Sequence, residues 1–168
     1  MSKLEIERKY IIEMPDVGTL SSMPEYTESR ITQIYLASSA GVTHRIRRRE
    51  YESACEYTET LKIRLSKTAC NESEGEIDKS RFDELSLKIK ESTRPIAKTR
   101  HTFAYLGFTV EIDVYPEWEK TAIMEIELDS EDLTPAIPPF IRIVRDVTGI
   151  REYSNAAMSH AFPTEDHL

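Results

Sequence analysis

Residues 4–12, Leu4-Glu5-Ile6-Glu7-Arg8-Lys9-Tyr10-Ile11-Ile12, set the reading of the whole chain. Side chains of a strand alternate between two faces, so this stretch puts Leu4 and Ile6 on one side and Glu5, Glu7 and Lys9 on the other. The same period of two recurs downstream. Residues 33–37 and 42–50 read as a hairpin around Ser38-Ser39-Ala40-Gly41, and residues 57–65, 97–105, 108–115 and 122–128 as further strands. A weaker strand covers 71–77, and Leu106-Gly107 reads as a tight turn. Helical spacing is scarcer. Ser80 with Asp83 resembles a capping pair ahead of Phe82, Leu85 and Ile89, in a helix that ends before Pro95. Pro139, with Phe140, Ile141, Val144 and Val147 on one side and Gly149 behind, predicts a second helix, and residues 154–161 a short third. Residues 14–29 read as a loop with one helical turn. The expected fold is α+β with a largely antiparallel sheet.

Charge sorts by strand face. Arg45, Arg47 and Arg49 share one face, Lys62 and Arg64 flank Ile63, and Lys98 pairs with Arg100. Glu111 and Asp113 flank Ile112, and Glu125 and Glu127 flank Ile126. An open sheet with one solvated face of complementary charge ladders accounts for this pattern. A barrel accounts for it differently, with the charged faces turned into the lumen and helices covering the apolar outside. Like charges repeated at i and i+2 repel and add little stability on a solvated face. In a lumen they bring hard oxygen ligands for Mg²⁺ or Mn²⁺ together with donors for phosphate oxygens.

The chain has 168 residues, with 22 Lys+Arg against 30 Asp+Glu and a formal net charge of −8. That length suits a single domain over residues 1–168. The net charge disfavours nonspecific nucleic-acid binding, although a local basic cluster still suits phosphate. The longest apolar run, residues 103–106, is far short of the roughly 20 residues of a membrane span. No apolar stretch follows Met1, and Cys55 and Cys70 are too few for a disulfide framework, so the expectation is a cytoplasmic protein with reduced thiols. His44 is expected at the surface, and Trp118 against a neighbouring loop.

These strands, in order, resemble the CYTH superfamily of triphosphate tunnel metalloenzymes. Glu5-Ile6-Glu7-Arg8-Lys9 is similar to its ExExK signature, Gln33-Ile34-Tyr35-Leu36 to its second strand, and Arg45-Ile46-Arg47 to its RxR strand. Thr60-Leu61-Lys62 resembles TxK and Lys98-Thr99-Arg100 resembles KxR. Glu111-Ile112-Asp113 and Glu125-Ile126-Glu127 resemble the late acidic strands, and Asp146-Val147-Thr148 with Tyr153-Ser154-Asn155 the C-terminal helix region. The opening EIERKY and the AKTR strand look most like small bacterial inorganic triphosphatases. Two departures stand out. Cys70-Asn71 precede Glu72-Ser73-Glu74 where the family carries an arginine, and Asn155-Ala156-Ala157 stand where a basic residue is common.

The resemblance implies an eight-stranded antiparallel tunnel that binds a triphosphate compound with a divalent metal, Mg²⁺ or Mn²⁺. It implies Glu5, Glu7, Glu125 and Glu127 as metal ligands, with Asp113 at or near a metal. Arg45, Arg47, Lys62, Arg100 and Lys9 would grip phosphates, Lys98 would orient or deprotonate water, and Tyr35 would act at the phosphate end. Expected activity is hydrolysis of inorganic triphosphate. A class IV adenylate cyclase, a thiamine or nucleoside triphosphatase, and a non-catalytic polyphosphate-binding module stay open. A small triphosphate-containing partner is expected, with no nucleic acid and no membrane, and a homodimer stays open.

Overall fold

The alternating strands close on themselves. A computed structural model describes residues 2–165, with β1 (Ser2–Glu13), β2 (Thr27–Leu36), β3 (Val42–Glu50), β4 (Cys55–Arg64) and β5 (Ala69–Glu76) in its first half. β6 (Ile96–Tyr105), β7 (Phe108–Val114), β8 (Thr121–Glu127) and β9 (Ile143–Asp146) follow. The sheet order is β5-β4-β3-β2-β6-β7-β8-β1-β9, and β1 also pairs with β5, which closes an eight-stranded antiparallel barrel. Closure removes the free edges that an open sheet of this length would leave.

The apolar core lies outside the barrel. Ile34, Leu36 and Ile46 on the outer faces of β2 and β3 pack against Phe82 and Leu85 of helix α2 (Lys79–Ser86). Phe103, Val110, Ile112, Met124 and Ile126 on β6, β7 and β8 are covered by Leu20 of helix α1 (Val17–Ser21) and by Ile141. Burying each of these side chains contributes about 1.5–3 kcal/mol, so the outer wall stabilises a barrel whose inner wall is charged. One end is closed by a second apolar group. Tyr35, Ile96, Tyr115, Trp118 and Ile123 meet Met158 of helix α3 (Asn155–His160), and Ile11 meets Val147 and Tyr153.

Three expectations need correction. Residues 139–149 do not form a helix; β9 runs antiparallel along Tyr10–Ile12 of β1, on the edge that β5 leaves free beyond Ile6. The N–H and C=O groups of that edge need partners, and Ile141, Ile143, Val144 and Val147 are β-branched residues that favour the extended form. Ser80 does not cap α2: Asp78 does, its Oδ1 accepting from the Arg81 N–H at 2.7 Å. That helix ends at Ser86, and Ile89 instead makes an isolated bridge to Leu36. Residues 14–29 hold one short helix as expected, but β2 already begins at Thr27. Leu106 and Gly107 have φ of 45° and 83°, the two successive positive values of a type I′ hairpin turn. α3 occupies the place expected for the last helix, with Ser154 as its cap. No helix among the described residues is long and apolar enough to cross a membrane.

Candidate active site in the barrel lumen

The charged faces turn inward and line a cavity of about 1040 Å³. Carboxylates come from Glu5 and Glu7 of β1, Glu72 and Glu74 of β5, Glu111 of β7, and Glu125 and Glu127 of β8. Cations come from Lys9, Arg45, Arg47, Arg49, Lys62, Lys98 and Arg100. In the ring order β3 lies four strands from β8, and β4 four strands from β7. The RxR strand thus faces the last acidic strand across the lumen.

All of these cations but Arg49, whose Nε donates to the Ser29 hydroxyl at 2.9 Å, rest on named acids. Lys9 Nζ lies 2.9 Å from Glu125 and 3.7 Å from Glu7. Burial opposes the Lys9 charge, but Glu125 and Glu7 outweigh it and raise its pKa. Burial likewise works against the Glu125 carboxylate, yet Lys9 and Arg100 hold it far below the usual range. Glu7 behaves in the opposite way: burial and then Glu125 push its carboxyl up to about 7, against the pull of Lys9. Two neighbouring carboxyls with such different proton affinities mark a place short of positive charge.

Lys62 bridges Glu5 and Glu72, with its Nζ 2.6 Å from the Glu72 carboxylate. The Cys70 Sγ donates to Glu5 Oε2 at 3.2 Å. Burial raises the Glu5 carboxyl, but the Lys62 ammonium outweighs it and brings the pKa down to about 2. Burial pushes the Cys70 thiol up to about 12, so it stays protonated. Glu5, Cys70 and Glu72 present ligand atoms all within 4.8 Å of one another.

Asp113 is 1% exposed and does not line the cavity. Its oxygens accept from Arg100 Nε at 2.7 Å, Arg100 Nη2 at 2.8 Å and Lys98 Nζ at 2.5 Å. The structure therefore gives Asp113 two cations to hold and leaves it no open side toward the lumen. Arg100 also meets Glu111, with Glu125 3.6 Å away. Burial drives the Lys98 pKa down to about 8, Asp113 pulling it up and Arg100 pushing it further down.

On the facing wall, Arg47 Nη2 donates to both oxygens of Glu74 at 3.2 and 3.1 Å, and Arg45 lies 3.9 Å from the same carboxylate. Arg45 Nε and Arg47 Nε are buried with no acceptor among the described residues. Gln33 Oε1 is buried without a donor as well, while Gln33 Nε2 donates to the Tyr35 hydroxyl at 2.8 Å. Of the residues expected in the site, only Asp113 lies off the cavity wall. Gln33, Glu72, Glu74 and Glu111 line it as well, residues to which the sequence reading assigned no role in the site. Their signal was parity: Gln33 shares a face with Tyr35, and Glu111 with Asp113. Two bystanders are ordinary, His44 Nε2 pairing with Glu59 at 2.7 Å and Trp118 donating to the Pro163 carbonyl at 2.8 Å.

No family model matches the chain, and no curated protein matches it. Solved structures do. The inorganic triphosphatase NE1496 is 28% identical, with 95% of this chain and 96% of that chain covered and a TM-score of 0.58. PH1819 from Pyrococcus horikoshii is 23% identical over 76% of this chain and 80% of that one, at a TM-score of 0.58. HpAC1 from Hippeastrum, an adenylyl-cyclase-like protein with a dominant triphosphatase activity, is 16% identical over 74% and 80%, at 0.52. The latter two share the fold. With a closed antiparallel barrel, an acid-and-base lumen and the ordered strand motifs that build it, the chain resembles the CYTH superfamily of triphosphate tunnel proteins over nearly its whole length.

Proposed function

We propose that the protein hydrolyses inorganic triphosphate to diphosphate and phosphate in its lumen, with Mg²⁺ or Mn²⁺. The observation that carries this reading is the pair of buried nitrogens, Arg45 Nε and Arg47 Nε, that lack acceptors on a wall facing carboxylates. A buried unpaired donor costs about 1–3 kcal/mol, a cost that an incoming phosphate oxygen removes. The identity to an inorganic triphosphatase supports the same substrate. So does the lining, in which Tyr35 is the one Phe, Tyr or Trp among the described residues. A nucleoside would find little to stack on.

The cavity is lined by eleven lysines and arginines against seven glutamates, so a polyanion meets a net positive wall, and the carboxylates among the cations need a counter-ion of their own. Glu5, Glu7, Glu125 and Glu127 would offer oxygen donors to a hard divalent cation, and the Glu7 carboxyl, pushed up to about 7 by burial and its neighbour Glu125, would be relieved by one; Glu72 lies with Glu5 within ligand reach. Such an ion, when bound, supplies charge neutralisation at the phosphate oxygens. Arg45, Arg47, Lys62 and Arg100 bind those oxygens, with Arg suited to two-point contact. Lys9 neutralises Glu125, and Tyr35 presents its hydroxyl at the closed end. Asp113 acts as a positioning residue that fixes Lys98 and Arg100.

The bond made is from water oxygen to the terminal phosphorus; the bond broken is the anhydride P–O, and diphosphate leaves. Lys98, lowered to about 8 chiefly by burial, orients the water and in its neutral form accepts the water proton. Positioning and charge stabilisation supply most of the rate.

The test is phosphate release from tripolyphosphate, thiamine triphosphate and ATP, with Mg²⁺, with Mn²⁺ and with excess EDTA. Tripolyphosphate should be cleaved fastest, and the chelated sample should be inactive. Cyclic AMP from ATP would replace this reading with a cyclase. Tight metal-dependent binding without phosphate release would replace it with a binding module.

A further inference from the structure

Gln33 is a neutral polar side chain set in a wall of cations. It is 1% exposed and lines the main cavity from β2. Its Nε2 donates to the Tyr35 hydroxyl at 2.8 Å, while its Oε1 is buried with no donor among the described residues. A buried acceptor left unpaired costs about 1–3 kcal/mol, and an apolar side chain of the same shape carries no such cost. A cost of that kind, kept inside a ligand cavity, points to a partner that belongs to the reaction.

The surroundings select the kind of partner. Arg47 stands directly opposite Gln33 on β3. On the other side Ile96 stands opposite it on β6, which makes Lys98 its diagonal neighbour. Diagonal neighbours lie about 7–8 Å apart, within reach of one water bridged by two long side chains. Lys98 Nζ stands 5.8 Å from the centre of the Tyr115 ring, which packs in one group with Tyr35 and Ile96, so the ammonium and the Gln33 amide share one end of the lumen. An ionised phosphate oxygen has no hydrogen to give an amide oxygen. A metal ion there would sit beside Arg47 and Lys98, against their charge. What remains is a small neutral hydrogen donor, and in a hydrolysis that donor is water.

We propose that Gln33 is a further catalytic residue, its Oε1 holding the attacking water jointly with Lys98. The proposal rests on the lumen being a site of triphosphate hydrolysis. The water donates one hydrogen to the neutral Lys98 amine and the other to Gln33 Oε1. With both hydrogens committed, a lone pair faces the terminal phosphorus. As the new O–P bond forms, Lys98 takes the first proton, the anhydride P–O bond breaks, and diphosphate leaves with the electron pair. Gln33 neither gains nor loses a proton. The bond from Nε2 to Tyr35 fixes the amide, so that Oε1 stays turned away from the hydroxyl.

The experiment follows phosphate release from tripolyphosphate with Mg²⁺ in the full chain, comparing wild type, Gln33→Met, Tyr35→Phe and the double variant. Methionine keeps the length of the side chain and removes both polar atoms. Gln33→Met should lower kcat about tenfold to a hundredfold and leave KM within about threefold, since the lost partner is the water and not the phosphate. Its urea-unfolding midpoint without ligand should stand at or above that of wild type, because the unpaired acceptor is gone. In the double variant the two losses in kcat should multiply. A double variant no slower than Tyr35→Phe would overturn the proposal, since Gln33 would then act only by holding the tyrosine. So would a midpoint that falls together with kcat, the mark of a residue that merely supports the barrel. Wild-type hydrolysis matched by Gln33→Met would sink the role of Gln33 alone. A wild type that releases no phosphate would sink the hydrolase reading and this role with it.

Discussion

Two charge clusters face each other across the lumen with the same chemistry and different freedom. On β6 and β7, Asp113 is sealed under the wall, and its oxygens are filled by Lys98 and Arg100. Across the barrel, on β1, β4 and β5, Lys62 sits between Glu5 and Glu72, and all three line the open cavity. Asp113 can only hold Lys98 and Arg100 in place, because at 1% exposure it offers an incoming ligand no access. An open cluster can exchange partners, since Lys62 can leave a carboxylate for a phosphate and so free that carboxylate. Both stand in the same alternating pattern of the sequence; depth below the surface separates support from exchange.

The largest effect expected from this contrast is on stability. Asp113→Asn leaves the buried Lys98 without its anion and Arg100 with only Glu111 and Glu125, which should cost about 3–5 kcal/mol in urea unfolding near neutral pH. Because Lys98 can shed its proton, the loss should shrink as pH rises toward 9. A variant as stable as wild type at pH 6 would show that the sealed cluster is not a support. Glu5→Gln should do the reverse, lowering kcat at saturating metal by about a hundredfold while stability stays within about 1 kcal/mol. Lys62 keeps Glu72 in that variant, so no cation is stranded. Wild-type turnover would remove Glu5 from the site.

Glu7 gives a pH signature of intermediate size. Its carboxyl is raised to about 7 by burial and Glu125, above its ordinary value near 4.5. The folded state therefore binds the proton more tightly than the unfolded chain does. This contribution is full below pH 4.5 and is lost as pH rises through 7. Metal-free protein should lose about 1–3 kcal/mol between pH 5 and 8, and Glu7→Gln should flatten that slope. A slope unchanged by the substitution would assign it to another group. Smallest of all should be Cys70→Ser, which keeps a donor to Glu5 and removes a thiol that burial holds protonated. Turnover within about twofold is expected, and a large loss would mean that sulfur itself matters in the open cluster.

Much of the site was legible because a lumen-facing strand repeats every two residues. Glu5/Glu7/Lys9, Arg45/Arg47 and Glu125/Glu127 could be assigned to a common face before any partner was known. Asp113 shows the limit. It shares parity with Glu111, yet Glu111 lines the cavity and Asp113 is buried off it under Lys98 and Arg100. Parity fixes the face of a strand and says nothing about depth along the barrel axis. The stretch around β9 failed for another reason. Phe140, Ile141, Val144 and Val147 fit a helical spacing, and only an unsatisfied edge of β1 makes the extended form the better one.

Alone, the sequence determined that the chain would alternate charged and apolar faces, with enough strands to close a barrel. It did so because side-chain direction in a strand is local, set by the backbone two residues at a time. Tertiary structure decided what depends on registers between distant strands: Lys62 between Glu5 and Glu72, Arg47 with Glu74, and both cations of β6 on Asp113. It also brought Gly149 against Lys67, so closely that a Cβ there would lie 2.1 Å from Lys67 Cγ. Pairing energy falls with distance and depends on burial, and neither quantity exists until the barrel closes.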